Sequence, residues 1–254
     1  MIRTILNIKG GVGKTTTSIN LARGLSNQGK RVLLIDLDGQ ANATSIITNN
    51  NNYSLSIVDC LLNPRLTKET IVKTDLGFDL LPSVLSLFVV EKKIMLDTTN
   101  PQHLRLWKVI KEIINDYDEI IVDCNPSLNI LSNNAVFVCK EKLGEIIIPI
   151  KIDKGAIDGF KTTINFINEI NENYDLDITY RVLLTMLNRN NLDKQIADEF
   201  KLLVDDKLFV TKIRNQSKPI TEAGLNKKAV VDNAKTNVGI DYQSLVKEIL
   251  EGSR

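Results

Sequence analysis

Eight residues near the start of the chain, KGGVGKTT from position 9 to 16, have the types and spacing needed to hold phosphate. Gly10, Gly11 and Gly13 carry no Cβ, so the backbone can turn tightly around Val12 and aim its N–H groups at phosphate oxygens. The string follows an apolar run and opens a stretch with helical spacing. The positive end of a helix dipole therefore adds to the attraction. Lys14 is placed to reach the outer phosphates of a nucleoside triphosphate. The Thr15 hydroxyl can ligate Mg2+, and Thr16 follows in the first helical turn.

Two acidic strand ends extend this chemistry. RVLLIDLDGQANAT, residues 31–44, ends an apolar run with Asp36 and Asp38. Carboxylates at the C-terminal end of a parallel strand lie on the ligand-binding edge of such sheets. Two residues apart on a strand, they point to the same face. One can hold the water shell of a metal while the other orients an attacking water. YDEIIVDCNPSLN, residues 117–129, ends a second apolar run in Asp123. An apolar strand closed by Asp, downstream of a phosphate loop, places another carboxylate near Mg2+. The expected metal set is Thr15, Asp36 and Asp123.

The elements that must position these groups follow from hydrophobic pattern. Short, nearly continuous apolar runs recur at 2–8, 31–37, 78–81, 119–123, 145–150 and 180–187, as expected of strands buried on both faces. Between them, 14–28, 101–117, 128–140, 155–173 and 192–204 have helical spacing. Pro101 suits a first helical turn and Gly29 a helix stop. The alternation predicts an α/β fold of the P-loop NTPase kind, a mostly parallel twisted sheet with helices on both faces. A chain of 254 residues fits a single domain, 1–254. The polar run TNNNNYS at 48–54 reads as a solvated loop.

Composition narrows the function. The net charge of +1 implies by itself neither a nucleic-acid nor a membrane partner, and leaves room for a local patch. Cys60, Cys124 and Cys139 are odd in number and far apart, which argues against a disulfide framework or a zinc site. The lone His103 has no cluster around it. No apolar run approaches the roughly 20 residues of a membrane helix. Met1 runs straight into an apolar strand without a secretory signal, so a cytoplasmic protein is expected. The glycine loop follows so closely that no N-terminal DNA-binding domain is expected.

The KGGVGKTT string resembles the deviant Walker A motif of the ParA, MinD and nitrogenase-iron-protein group. An ordinary phosphate loop does not require a lysine at position 9. The resemblance implies that Lys9 crosses a dimer interface to contact the partner's nucleotide, hence a homodimer enclosing two ATP. Lys9, Lys14 and Asp38 then form the catalytic set, with ATP and Mg2+ as cofactors. DLDGQANAT is similar to the family's DLDPQGNAT, with Gly39 for a proline and Ala41 for a glycine. DCNPSL is similar to its DCPPSL, with Asn125 for a proline. FDLLPS at 78–83, LLTMLNRNNL at 183–192 and the segment from Thr211 onward extend the resemblance to ParA and Soj-like partition proteins over nearly the whole chain. It implies an adenine contact at Asn188.

Residues 207–235 hold seven cations against two carboxylates, a net +5 that leaves the rest of the chain at −4. A basic segment on a mildly acidic body suits sequence-independent phosphate binding. With Phe209 as its one aromatic, the segment does not suit single-strand stacking. The resemblance implies nonspecific DNA binding by Arg189, Lys212, Arg214, Lys218, Lys227 and Lys228, and nucleoid association of the ATP-bound dimer. It also implies a ParB-like cargo adaptor that stimulates hydrolysis. The expected role is partitioning of plasmid or chromosome DNA. A ParA-like motor for a protein cargo remains an alternative. A MinD-like membrane switch is disfavoured by a tail not enriched in lysine, whose apolar side (Leu245, Val246, Ile249, Leu250) suits packing on the domain. A redox protein is disfavoured by the placement of the cysteines.

Overall fold

The computed structural model describes residues 1–48, 53–140, 143–153 and 155–252, so most of the polar run expected to loop at 48–54 lies outside the described residues. In chain order, β1 (Ile2–Ile5) leads to α1 (Lys14–Asn27), and β2 (Val32–Leu37) leads to α2 (Asn42–Ile47), α3 (Ile57–Leu62) and α4 (Thr67–Thr70). Two short strands, β3 (Val72–Lys73) and β4 (Asp79–Leu81), precede α5 (Leu87–Leu96) and α6 (Arg105–Lys111). Next come β5 (Glu119–Cys124) with α7 (Ile130–Phe137) and β6 (Gly144–Lys151) with α8 (Ala156–Tyr174). The chain continues through β7 (Thr179–Thr185), α9 (Asn191–Val204), α10 (Ser217–Leu225) and α11 (Asn237–Gly252).

These strands form one sheet in the order β3-β4-β2-β5-β1-β6-β7. All neighbours run parallel except the edge pair β3 and β4. The alternation of side chains sorts the core into two layers. On β2, Leu33, Ile35 and Leu37 join the layer that also holds Leu106, Leu131, Phe160 and Phe200 of α6 to α9. Val32 and Leu34 point the other way, into the layer built with Ile19 and Leu25 of α1 and Leu245 and Ile249 of α11. Burial on both faces explains the near-continuous apolar runs, and the mostly parallel sheet with helices on both faces is the expected fold.

The boundaries differ from expectation where local polar groups intervene. The stretch 101–117 is not one helix: a 3-10 turn at Gln102–Leu104 precedes α6. The Asn134 side chain of α7 captures the entry, donating to the Gln102 carbonyl (2.9 Å) and accepting from Leu106 N–H (3.0 Å). Beyond α6, the Glu112 and Ile113 amides bond three residues back rather than four, which ends the α-helical ladder. The apolar side of α11 packs on α1, where Gly24 admits Val246. A Cβ there would collide with a Val246 methyl. Among the described residues no helix is long and apolar enough to cross a membrane.

Candidate nucleotide and metal site

The glycine loop joins β1 to α1 at the C-terminal edge of the sheet. Gly11 (φ 70°) and Gly13 (φ 90°) adopt left-handed backbone, which a side chain would strain. Gly13 is the N-cap of α1, with no side-chain cap and no acid in the first turn. The first N–H groups of the helix therefore lack a side-chain acceptor, the arrangement that suits an anion. The loop is braced from β7, whose Thr185 hydroxyl donates to the Val12 carbonyl (2.8 Å). Lys14 is buried and curls back to donate to the Lys9 carbonyl (3.0 Å). Burial lowers its pKa, with Asp123, Cys124 and Asp38 opposing.

Parallel pairing of β2 with β5 sets Asp36 opposite Asp123, and both are fully buried. The Asp123 carboxylate accepts the Ser18 hydroxyl on Oδ1 (2.8 Å), while its buried Oδ2 has no partner among the described residues. Burial first, then the Asp36 charge, pushes Asp123 up to about 7, against the pull of the Thr15 and Ser18 hydroxyls and Lys14. An orphaned buried carboxylate oxygen beside a threonine hydroxyl and a phosphate loop fits Mg2+, which is held through one or two carboxylates plus phosphate and water. Among the described residues no group of three His, Cys, Asp or Glu side chains could hold a metal by itself, and this mode does not require one.

Asp36, expected in the metal set, has both oxygens engaged by its own loop: Oδ1 accepts the Asp38 N–H (3.2 Å), and Oδ2 accepts the Thr44 N–H (2.9 Å) and hydroxyl (2.7 Å). Asp38 lies one residue past β2, and its Oδ1 accepts the Gln40 N–H (2.9 Å). Lys9 pairs with Asp153 of its own chain, and that contact is the first cause of the lowered Asp153 pKa. Asn188 brackets the end of β7: its N–H donates to Asp193 (2.7 Å) and its side-chain oxygen accepts from Asn215 (2.9 Å).

The basic candidates divide. Ladder-like bonds from Leu187 N–H to the Ile213 carbonyl (3.0 Å) and from Asn215 N–H to the Leu187 carbonyl (2.9 Å) bring Arg189 and Lys212 to one concavity of about 340 Å³, lined also by Lys194. Lys218 and Lys228 are exposed, and Lys218 has only a loose 3.9 Å pair with Glu222. Arg214 is instead tied into the fold, bonded to Asp241 through Nε (2.9 Å) and a terminal nitrogen (2.6 Å). The Lys227 ammonium donates to the Ser45 carbonyl. Sequence reasoning missed Ser18, Thr44, Asp153, Thr185 and Lys194. Thr44 and Thr185 stood inside strings that drew attention for other residues, whereas Ser18 and Asp153 meet Asp123 and Lys9 only through pairings far apart in sequence.

A glycine loop between a central strand and its helix, backed by carboxylates at the ends of the adjacent β5 and of β2 beyond it, defines a P-loop nucleotide hydrolase. A family profile described as AAA domain (AAA_31) matches residues 1–180. The sporulation initiation inhibitor protein Soj of Bacillus subtilis (strain 168) is 33% identical over 253 residues, 98% of this chain and 97% of its own. The chromosome partitioning protein ParA of Caulobacter vibrioides (strain NA1000 / CB15N) is 29% identical, with coverage of 100% and 95%. Among solved structures, a plasmid partition protein from Borrelia burgdorferi, bound to AMPPNP, superposes with a TM-score of 0.77 at 25% identity, covering 99% of this chain and 98% of its own. The chain belongs to the AAA_31 domain family, within the ParA/Soj type of partition ATPases.

Proposed function

We propose that residues 1–254 act as one Mg2+-dependent ATPase domain that pairs with a second copy around two ATP, binds DNA of any sequence in that state, and is reset by hydrolysis. A ParB-like adaptor on the cargo, plasmid or chromosome DNA, stimulates that hydrolysis. The observation that carries the ATPase reading is the bare, buried Asp123 Oδ2 beside an uncapped phosphate loop. The partition role rests on the family and on relatives such as the Caulobacter and Borrelia proteins.

In this reading Lys14 exchanges the Lys9 carbonyl for the outer phosphates. The first-turn amides of α1 take the phosphate oxygens, and Asn188 borders the base. Thr15 and Asp123 would hold Mg2+, whose charge steadies the phosphates as they separate. Asp38 orients the attacking water. Lys9 leaves Asp153 to reach the partner's nucleotide, so dimer formation and site completion are one event.

Sedimentation and phosphate release test the proposal together. The wild type is expected to dimerise with ATP and Mg2+ and to stay monomeric with ADP. Asp38→Ala is expected to dimerise without turnover. A monomer that hydrolyses ATP at full rate would overturn the dimer, and a protein that neither binds nor hydrolyses ATP would overturn the whole reading.

A further inference from the structure

The loop that carries Asp38 is closed by one buried side chain. Asp36 accepts the Asp38 N–H at the start of the loop and the N–H and hydroxyl of Thr44 at its end. The Thr44 hydroxyl in turn accepts the Ser83 N–H (3.0 Å), where the chain leaves β4. Asp36, Thr44 and Ser83 are all buried. Within the loop, Ala41 holds a left-handed backbone (φ 52°) and its N–H bonds the Asp38 carbonyl (2.8 Å). Phe88 of α5 lies over Gly39, with ring carbons 2.8 to 2.9 Å from where a Cβ would stand. The loop is thus held at both ends and pressed in the middle.

We propose that Asp36, Thr44 and Ser83 form a staple that positions Asp38 for hydrolysis, which makes Asp36 and Thr44 positioning residues rather than metal ligands. This rests on the reading of Asp38 as the water-orienting group given above. An attacking water must be aligned closely, and a small misplacement of the group that orients it is costly. The short turn from Asp38 to α2, whose first turn holds Thr44, would otherwise sample many backbone states, each carrying the carboxylate elsewhere. Threonine suits the node because one hydroxyl donates to Asp36 and accepts from Ser83 at once. Serine can do the same, and valine, of the same shape, can do neither.

The test compares Thr44→Val with Thr44→Ser, and adds Asp36→Asn. For Thr44→Val, kcat is expected to fall roughly ten- to a hundredfold while ATP affinity stays within about threefold. Thr44→Ser is expected to recover most of the rate. In the nucleotide-free protein, amide exchange at Asp38 and Thr44 is expected to speed up in Thr44→Val and not in Thr44→Ser. For Asp36→Asn, the Mg2+ concentration needed for half-maximal ATP binding is expected to stay unchanged. An unchanged kcat in Thr44→Val would overturn the staple, as would loss of ATP affinity in step with kcat. A Mg2+ requirement raised by about tenfold or more in Asp36→Asn would restore Asp36 to the metal and overturn its positioning role. Should the wild type hydrolyse no ATP, the proposed function fails. The amide-exchange contrast still shows separately whether the staple holds the loop.

Discussion

Lys14 and Asp123 are strained in opposite directions by the same burial: the lysine is pushed towards its neutral form and the carboxylate up to about 7. In the proposed function, a Mg2+–nucleotide complex would offer phosphate to one and a cation to the other, so both penalties would become binding energy. Lys14→Ala is therefore expected to abolish tight ATP binding in a fluorescence titration, and retained affinity would remove the lysine from the site. A pH effect follows as well. Without nucleotide, burial pushes Asp36 up to about 6 and Asp123 up to about 7, well above the ordinary carboxylate value of about 4. The folded state then holds more protons than the unfolded chain in that window, so its stability falls as pH rises through these values. The thermal midpoint of the nucleotide-free protein is expected to drop from about pH 4 to about pH 7, and Asp123→Asn is expected to flatten the drop. Lys14, Thr15, Asp38 and Asp123 were legible because their chemistry is written in contiguous strings. Asp153 and Thr185 were not: they meet Lys9 and Val12 only through pairings more than a hundred residues long in sequence.

Among the elements, length alone did not decide legibility: the three-residue β4 falls in an expected run, whereas the ten-residue α5 and the nine-residue α10 were not expected. The strands buried on both faces and the helices α1, α8 and α9 advertise themselves by runs and periodicity. The two-residue strand β3 is too short to show a period, and α2 to α4 span at most six residues each. The tail is the informative case. Its apolar side was expected to pack on the domain, and Leu245, Val246 and Ile249 are buried in the layer shared with α1. Leu245→Ala is expected to cost about 3 kcal/mol in a urea melt, the usual loss for a fully buried leucine. A cost near zero would mean that α11 is free to leave the domain. Gly24→Ala tests the same contact from the other side: the added methyl meets Val246 and is expected to destabilise the protein rather than strengthen the helix.

For the whole molecule, charge distribution matters more than net charge. A total of +1 conceals the basic segment 207–235, and the fold decides which of its cations are free to act. Arg214, one of the six basic candidates from sequence, is held by Asp241. Arg214→Glu would set two carboxylates together, so lost stability is its expected signature. Arg189 and Lys212 share a concavity with Lys194, an exposed lysine outside the segment that composition singled out. Lys212→Glu is expected to weaken DNA binding and lower its salt dependence, with ATP affinity unchanged.

Binding of the wild-type protein to random-sequence DNA, with ATP and with ADP over a salt series, probes the proposed switch most directly. Binding is expected with ATP and Mg2+, weakening steeply as salt rises through release of counterions, and little binding is expected with ADP. Equal affinity in the two nucleotide states, or none in either, would contradict a nucleotide-gated DNA-binding switch.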